Sequence, residues 1–366
     1  MHMADALVVP AVAAGMSVCS LGAAAYSVRQ LGKEKEDGKI PVMGVMGAFV
    51  FAAQMINFTI PGTGSSGHLC GGMLLTALLG PCRGFLTMIG VLLIQCLVFA
   101  DGGLMALGCN VWNMAFYGCF IGAWIWRGIM KSGVSRRKIT VASILGCVFT
   151  LQLGSLSVVL ETSLSGITAL PFAVFLAWMQ PIHLAIGAVE GLITSAVLLF
   201  IYQSRPELFW GVGESVKERC SFKRQVRAAS RTKIDGLAAP KGRSMTASVQ
   251  GKHPSRTILV LLLLTVLIGG GLSLLASVKP DGLEWSIQRI TGSTDLPGAE
   301  TIAGAIQERL AILPDYGFRG SDLVLGTGVS GIVGAGLVLV VCIGIARIFR
   351  LYKQQSQKKQ KEKSYE

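Results

Sequence analysis

Histidine is scarce in this 366-residue chain, and two of its four histidines stand in unusual settings. His2 follows Met1 directly, and histidine is too bulky for the aminopeptidase that trims initiator methionine, so we expect Met1 to keep a free amine. That amine, the deprotonated backbone nitrogen of His2 and His2 Nδ1 can chelate one metal ion through unstrained rings. Three nitrogens in a plane favour Ni(II) or Cu(II) over zinc, calcium or magnesium.

His68 is the candidate for a fourth donor to the same ion. It lies in NFTIPGTGSSGHLCGG, between the second and third apolar stretches. Glycines and Pro61 permit an irregular backbone there, which at membrane depth is tolerated only when it is buried in protein or lines a cavity. A purely structural histidine is the alternative for His68 taken alone. Cys70 is a less favoured ligand, since no thiolate is needed to complete the plane.

His183 and Glu190 are the polar residues of the stretch PIHLAIGAVEGLIT. Their spacing of seven residues places both on one side of a helix. An ionisable residue inside a span is a functional candidate by default. Both residues are therefore candidates for a polar partner of the metal loop or a gating contact, with a helix-packing hydrogen bond as the alternative.

Three further polar residues are candidates for supporting the site. Asp5 is expected either to neutralise it or accept a hydrogen bond from a ligand histidine, or else to cap the first helix. Asn57 and Asn110 lie near the outer ends of spans, where they either support ligands or make interhelical hydrogen bonds.

The composition predicts that these residues are positioned by membrane-spanning helices. Hydrophobic residues make up 52% of the chain and charged residues only 14%, which is typical of a polytopic membrane protein. A spanning helix needs about 20 mostly apolar residues, and nine stretches are candidates: 10–29, 42–60, 68–80, 84–100, 104–126, 139–160, 168–203, 256–279 and 326–348. The third is short, and the seventh, which holds Pro171 and Pro181, is expected to form one helix or two. Strand patterning is absent, so the predicted class is all-α.

The net charge is +13, and the basic residues cluster in a few segments, at 29–39, 127–138, 205–256 and after Arg347. Lys and Arg mark cytoplasmic loops, so nine alternating spans place the N-terminus outside and the C-terminus inside. We expect a multi-pass protein of a prokaryotic inner (plasma) membrane. Basic residues beside spans are expected anyway, so nucleic-acid binding is not favoured. The first stretch has no basic leader and is expected to be a retained helix.

Composition divides the chain into four parts. Residues 1–203 are expected to form a bundle of about seven spans that captures the metal, and 204–255 a basic cytosolic linker. Residues 256–348 are expected to form a two-span hairpin with an acidic outer loop, and 349–366 a basic cytosolic tail. Most carboxylates of the segment 280–325 fit a solvated loop. Asp281 and Glu284, in PDGLEW, are candidates for a role because they stand at a membrane exit.

Several activities are excluded or disfavoured by what the sequence lacks. It has no GxxxxGK[ST], so we expect no ATP hydrolysis by this chain and no catalytic cofactor. HExxH is absent as well, and there is no set of three protein ligands that leaves a position open for water, which makes a membrane metalloenzyme a remote alternative. A passive channel would not need a planar chelate. The nine cysteines include no CxxC pair and are read as packing residues.

Four motifs, in order, resemble the membrane substrate-capture subunits of energy-coupling-factor transporters for nickel and cobalt. MHMADALV is similar to that family's MHIxDG or MHIxEG start, and NFTIPGTGSSGHLCGG to NFxxxxGTSGHLxGG. FADGGLMALGCNVWNM is similar to FxDGGLxALGANxxNM, and PIHLAIGAVEGLIT to PxHxxIGxxEGxIT. The part from VKPDGLEWSI to PDYGF resembles the small companion subunit, a PDGLE-type protein with two spans.

The resemblance implies a fusion of the two subunits that captures Ni(II) or Co(II) from outside. It implies a separate transmembrane coupling subunit and separate cytosolic ATPases as partners, within the lipid bilayer. The family's buried N-terminus maps onto Met1 and His2, and its loop histidine onto His68. Ala6 departs from the family's usual glycine, and the loop is one residue longer. DGG at 101–103 resembles the nickel branch, so Ni(II) is preferred, with Co(II) uptake for cobalamin synthesis as the alternative.

Overall fold

Helices account for most of the chain in the computed structural model, which describes residues 1–33, 40–166, 170–211, 256–294, 301–320, 323 and 325–362. The first half contains α1 (Pro10–Lys33), α2 (Ile40–Gln54), α3 (Gly72–Leu79), α4 (Pro81–Phe99), α5 (Leu107–Asn110), a π-helical stretch (Val111–Ile121) and α6 (Gly122–Met130). The rest contains α7 (Arg136–Ser165), α8 (Phe172–Ser204), α9 (Arg256–Gly270), α10 (Gly282–Thr291), α11 (Ile302–Leu310) and α12 (Leu325–Glu362).

Five helices are long and apolar enough to cross a membrane: Pro10–Lys33, Pro81–Phe99, Arg136–Ser165, Phe172–Ser204 and Leu325–Ile345. Two shorter apolar helices lie at Pro41–Gln54 and Thr257–Gly270. All nine predicted stretches are largely helical, but α3 has only eight residues, and the fifth stretch includes the π-helical turn. The chain is a mostly helical membrane protein. These helices do not establish the predicted number of nine spans.

Several details differ from the expectations. The seventh stretch is one helix, because α8 continues through Pro181. The helices are accompanied by one pair of two-residue strands, in which Phe58–Thr59 (β1) pairs antiparallel with Ser66–Gly67 (β2). The acidic outer segment is not simply a solvated loop, because it folds into α10 and α11.

Parts of the predicted organisation lie outside the described residues. These are 212–255 of the expected linker, the carboxylates Asp295, Glu300 and Asp322, and residues 363–366 of the tail. The described part of the tail continues α12 as a helix to Glu362.

Small residues bring the C-terminal unit (residues 256–348) close to α2. A Cβ added to Gly44 would lie 3.0 Å from a methyl of Leu339, and one added to Gly47 would lie 3.1 Å from Cys342 Sγ. Within the C-terminal unit, α9 and α12 approach each other still more closely, since a Cβ added to Gly331 would overlap the backbone of Gly269. Such contacts between small residues are typical of helices that pack inside a membrane.

The two ends of the bundle differ in charge. At one end α4 begins at Pro81, and the guanidinium of Arg127 lies over the ring of Trp210, followed by the basic start of α7. At the other end α4 finishes at Phe99, close to the first residues of the chain. The basic residues 127–138 are therefore remote from the chain's N-terminus.

Candidate metal site

The N-terminal segment (residues 1–8) is inserted into the bundle. Met3 is fully buried, and its backbone nitrogen donates to Asn110 Oδ1 at 2.7 Å. Its carbonyl accepts from Asn110 Nδ2 at 3.1 Å and from the backbone nitrogen of Gly103 at 2.8 Å. Asn110 and Gly103 thus bind Met3 as a neighbouring strand would, and fix the position of Met1 and His2.

The histidine loop (residues 57–71) is clamped by the C-terminal unit. Ser66 donates from its backbone nitrogen to Pro280 O at 2.8 Å and from its hydroxyl to Lys279 O at 2.7 Å. Ser277 donates from its backbone nitrogen to Asn57 O at 2.8 Å. The stretch before α10 therefore lies along the loop that carries His68.

The Met1 amine lies between a histidine and a carboxylate. Its nitrogen is 3.2 Å from His68 Nε2 and 2.5 Å from Asp281 Oδ2. The rings of His2 and His68 are stacked, with centroids 5.3 Å apart and planes inclined by 21°. The structure thus brings together the three residues that the sequence singles out as ligands, and adds Asp281 from the C-terminal unit.

Both ring nitrogens of His2 have oxygen neighbours. Nδ1 lies 3.2 Å from Asp101 Oδ1, and Nε2 lies 3.2 Å from Gln95 Oε1. The second oxygen of Asp101 accepts from the hydroxyl of Tyr316 at 2.5 Å. Tyr316 belongs to the C-terminal unit, so this unit reaches the site at two points.

Burial sets the charge of the site. Burial, the adjacent amine and His2 lower the pKa of His68 to about 3. Burial also lowers the pKa of His2, although Asp101 opposes the shift. Burial opposes the charge on Asp281, but the amine and His68 outweigh it and hold the pKa of that carboxyl below its ordinary value. At neutral pH the site therefore combines neutral imidazoles, which metal ligation requires, with a carboxylate.

His183 and Glu190 both face the histidine loop from α8. Glu190 Oε1 accepts from the backbone nitrogen of Gly71 at 2.9 Å, which ties the end of the loop to the helix. The ring of His183 lies against Gly282, where an added Cβ would be 3.1 Å from His183 Cε1. His183 Nδ1 also lies 2.8 Å from Met179 O. None of these hydrogen bonds involves the Met1 amine.

The remaining candidates contact the site less directly. Asp5 does not cap the first helix, which begins at Pro10; its carboxylate accepts from the backbone nitrogen of Ala106 and from the hydroxyl of Thr301. Asn57 joins the clamp through its backbone carbonyl. Glu284 Oε2 accepts from the backbone nitrogen of Asp281 and so completes a capping box at the start of α10.

Sequence reasoning missed four side chains near the site. Asp101 and Gln95 contact His2, Tyr316 contacts Asp101, and Gln54 contacts Gln95. Asp101 stands in FADGG, the start of one of the four family-like motifs, and this motif could have indicated its role. Tyr316 lies in PDYGF, in a part of the chain more than 200 residues from Asp101. The two glutamines are isolated polar residues of apolar helices, which marks them as exceptional in a membrane protein.

Two cavities adjoin the site. The larger has a volume of 740 Å³ and is lined by both parts of the chain, including His2, His68, Asp101, Glu284 and Asp315. The smaller, of 20 Å³, lies among Met1, His68, Cys70 and His183. A space of that size holds about one water molecule. Among the described residues, no group of three His, Cys, Asp or Glu side chains is arranged to hold a metal.

Comparison with known proteins gives the chain a family. The profile described as "Cobalt uptake substrate-specific transmembrane region" (CbiM) matches residues 2–208, and the PDGLE domain profile matches 255–351. A protein of Archaeoglobus fulgidus named as a fused nickel transport protein, NikMN, is 30% identical over 352 residues, which cover 96% of this chain and 99% of that protein. The cobalt transport protein CbiM of Sorangium cellulosum is 30% identical over 57% of this chain and 94% of its own length.

A solved structure supports the same assignment. The crystal structure of a truncated transition metal transporter is 28% identical, matches with a TM-score of 0.50, and covers 56% of this chain and 99% of its own. The four-motif resemblance is thus confirmed, and so is the resemblance of the C-terminal part to a PDGLE protein. This chain belongs to the CbiM family of membrane components of metal transporters, and carries a PDGLE domain fused to its C-terminal end as the NikMN proteins do.

Proposed function

We propose that this chain is the substrate-specific component of an energy-coupling-factor transporter that imports Ni(II). The ion is held by the Met1 amine, the His2 backbone nitrogen, His2 Nδ1 and His68 Nε2. The observation that carries this proposal is the meeting of the N-terminal amine with His68 Nε2, at 3.2 Å, from residues 67 positions apart.

The spacing of the nitrogens supports ligation of one ion. Metal–nitrogen bonds in proteins are about 2.0–2.1 Å for zinc, so two nitrogens on one ion lie roughly 3–4 Å apart. The amine and His68 Nε2 are already within that range. In ligation the amine loses a proton and exchanges its contact with Asp281 for the ion. The carboxylate then stays beside the ion and offsets its charge.

Nickel is preferred to cobalt because a set of four nitrogens that includes an amide nitrogen favours a planar d⁸ ion. A relative that matches 96% of this chain is named for nickel transport, and relatives that match 57% of it or less are named for cobalt or for nickel transport. Co(II) uptake for cobalamin synthesis is the second candidate.

The proposed transporter needs partners that this chain does not contain. A transmembrane coupling subunit and cytosolic ATPases drive release, since the chain has no P-loop. Seven spans of residues 1–203 and two of 256–348 cross the inner membrane, joined by the linker 204–255. The basic residues 127–138 lie at the end remote from the metal site, which supports an outer site and a cytoplasmic tail.

Metal accumulation by cells tests this function. Cells that lack their own nickel uptake are supplied with the chain alone, or with coupling and ATPase subunits from a related operon. We expect nickel accumulation only with the partners, and more nickel than cobalt from an equimolar mixture. Accumulation by the chain alone at the same rate indicates a channel, and none with any combination of subunits contradicts the proposal.

A further inference from the structure

We propose that Gln54 and Gln95 form an amide relay that fixes the tautomer of His2, so that Nε2 carries the proton and Nδ1 is left for the metal ion. The two glutamines are positioning residues that act through His2. This inference rests on the proposed function, because it gives His2 Nδ1 the role of a ligand.

The relay begins at a group that can only accept hydrogen bonds. Gln54 Nε2 lies 2.9 Å from the carbonyl oxygen of Cys70, and a carbonyl has no proton to give. The Gln54 amide must therefore turn its nitrogen toward Cys70. The opposite orientation would place two acceptor oxygens against each other. The nearest other neighbour of that nitrogen is Met88 Sδ at 3.9 Å, which is also an acceptor only.

Each following orientation is dictated by the one before it. Gln54 Oε1 is left facing Gln95, whose Nε2 donates to it at 3.0 Å. Gln95 Oε1 then faces His2 Nε2 at 3.2 Å. An amide oxygen only accepts, so His2 Nε2 must be the donor in this contact. Amide orientations are assigned from such networks, and here the contacts permit one assignment for both glutamines, with His2 Nε2 as the donor.

Burial makes this constraint strong. Gln54 and Gln95 are 5% and 1% exposed, and they sit on α2 and α4 within the bundle. A buried amide left without its partner is costly, so neither glutamine can turn over without breaking two contacts. The relay thus contacts His2 at Nε2, the ring nitrogen that does not bind the ion in the proposed site.

The relay also joins the two sources of ligands. It starts at Cys70, two residues after His68 in the histidine loop, and ends at His2 in the N-terminal segment. On its far side, His2 Nδ1 lies 3.2 Å from Asp101 Oδ1. With the proton on Nε2, the lone pair of Nδ1 faces the carboxylate of Asp101. Both groups are electron-rich, so a cation bound between them would be stabilised by both.

The test compares variants that keep or remove the acceptor for His2 Nε2. Gln95→Met removes it with little change of shape, whereas Gln95→Glu keeps an oxygen there. Gln152→Met is the matched control, because Gln152 also uses its amide to bind a backbone carbonyl, that of Gln180, without contacting His2. Circular dichroism and elution in detergent show whether each full-length variant folds.

Two readouts are used, nickel titration and the tautomer of His2 in the metal-free chain. Loss of an outer partner of a ligand typically costs about 10–100-fold in metal affinity. We expect a loss of that size for Gln95→Met, a smaller loss for Gln54→Met, substantial recovery with Gln95→Glu and no change for Gln152→Met. Nitrogen NMR of ¹⁵N-histidine protein, with His2 assigned through His2→Ala, should show the proton on Nε2, and on Nδ1 in part of the Gln95→Met population.

The outcomes separate this inference from the proposed function. If His2→Ala abolishes nickel binding while Gln95→Met keeps both the affinity and the tautomer of the unaltered chain, the relay is wrong and the site stands. A proton on Nδ1 in the unaltered chain also overturns the relay. If nickel binding survives His2→Ala, the proposed ligand set itself fails.

Discussion

Two N-terminal donors of the proposed site, the Met1 amine and His2 Nδ1, have a carboxylate neighbour in the structure. The Met1 amine contacts Asp281, and His2 Nδ1 lies beside Asp101, which in turn accepts from Tyr316. Two of these three partners come from the C-terminal unit. If the proposed ligands are correct, the carboxylates hold them in place before the ion arrives, and the C-terminal unit contributes to this through Asp281 and Tyr316.

Removing the charge of Asp281 should release the amine. Asp281→Asn keeps an oxygen to cap α10 but loses the ion pair, and a hydrogen bond to a charged group contributes about 1.5–3 kcal/mol. We expect an amine-acylating reagent to label Met1 of the metal-free chain at least about tenfold faster, measured by peptide mass spectrometry. Glu284→Gln is the matched control, because Glu284 bonds the backbone of Asp281 and not the amine. Equal labelling of Asp281→Asn and the unaltered chain would show that the pair does not restrain the N-terminus.

Nickel affinity should fall as the pH is lowered from 8 to 6. The amine and the His2 backbone nitrogen must both lose protons to bind the ion, so protons compete with nickel. His68 should contribute little to this slope, because its pKa of about 3 keeps it neutral throughout. Titrations at several pH values with a competing chelator measure the slope. An affinity that is independent of pH would exclude the amine and the amide nitrogen as ligands.

The proposed ligands are predictable from sequence, while most of their partners are not. Chelate chemistry and the motifs together select Met1, His2 and His68 without any coordinates. The partners of His2 are harder to find because Gln95 reaches it from a helix and Asp101 from a loop, and side-chain contacts across a bundle leave no periodic signal. Asp5 was a candidate acceptor for a ligand histidine, but the carboxylate beside His2 Nδ1 is that of Asp101.

At the scale of elements, the N-terminal segment depends on two glycines of the loop between α4 and α5. Gly102 has a φ of +78°, which favours glycine, and an added Cβ would lie 2.7 Å from Asn110 Nδ2. A Cβ on Gly103 would overlap the carboxylate and backbone nitrogen of Asp5. The DGG motif thus provides the space in which residues 1–8 lie.

Gly103→Ala should displace the N-terminal segment and weaken nickel binding by more than about tenfold, because it also disturbs the hydrogen bond to Met3 that aligns His2. Nickel titration of the purified variant measures the loss. Gly22→Ala on α1 is the control, since an added Cβ there meets no atom within 4 Å. Unchanged affinity in Gly103→Ala would mean that the segment can bind nickel in another position.

The clamp on the histidine loop depends on α10 and its aromatic face. Trp285 packs edge-on against Trp178 of α8, with ring centroids 5.3 Å apart, and donates to Thr63 O at 3.0 Å. Arg289 lies over both rings. Apolar length predicted most helices of the chain, but it could not reveal α10 and α11, because these short amphipathic helices lie outside the apolar stretches.

At the scale of the whole molecule, the metal site is shared by the two parts of the fusion. The CbiM-like part supplies the proposed nitrogen ligands, and the PDGLE part supplies Asp281, Tyr316 and the backbone that binds the histidine loop. Sequence comparison identifies both parts. It cannot show that they meet at the N-terminus, because that contact joins residues 280 positions apart.

The two parts should remain together when the chain between them is cut. With a protease site inserted within residues 212–255, we expect the cleaved pieces to co-elute in mild detergent and to keep bound nickel. Close packing of α2 on α12 is the reason, and Gly47→Leu, which would press on Thr87 and Cys342, should weaken the association. Separation of the pieces without any substitution would show that the covalent linker holds the units together.

The most direct test of the metal site is the number of nickel ions bound per chain with an unaltered and an extended N-terminus. The chain is purified with its native start and with one residue added ahead of Met1, beside His2→Ala, His68→Ala and, as a control, His253→Ala from the segment 212–255. Intact mass verifies each N-terminus, and elemental analysis counts the metal. We predict about one nickel ion per chain for the native start and for His253→Ala, and none for the other three. Full nickel binding by the extended chain would contradict ligation by the Met1 amine.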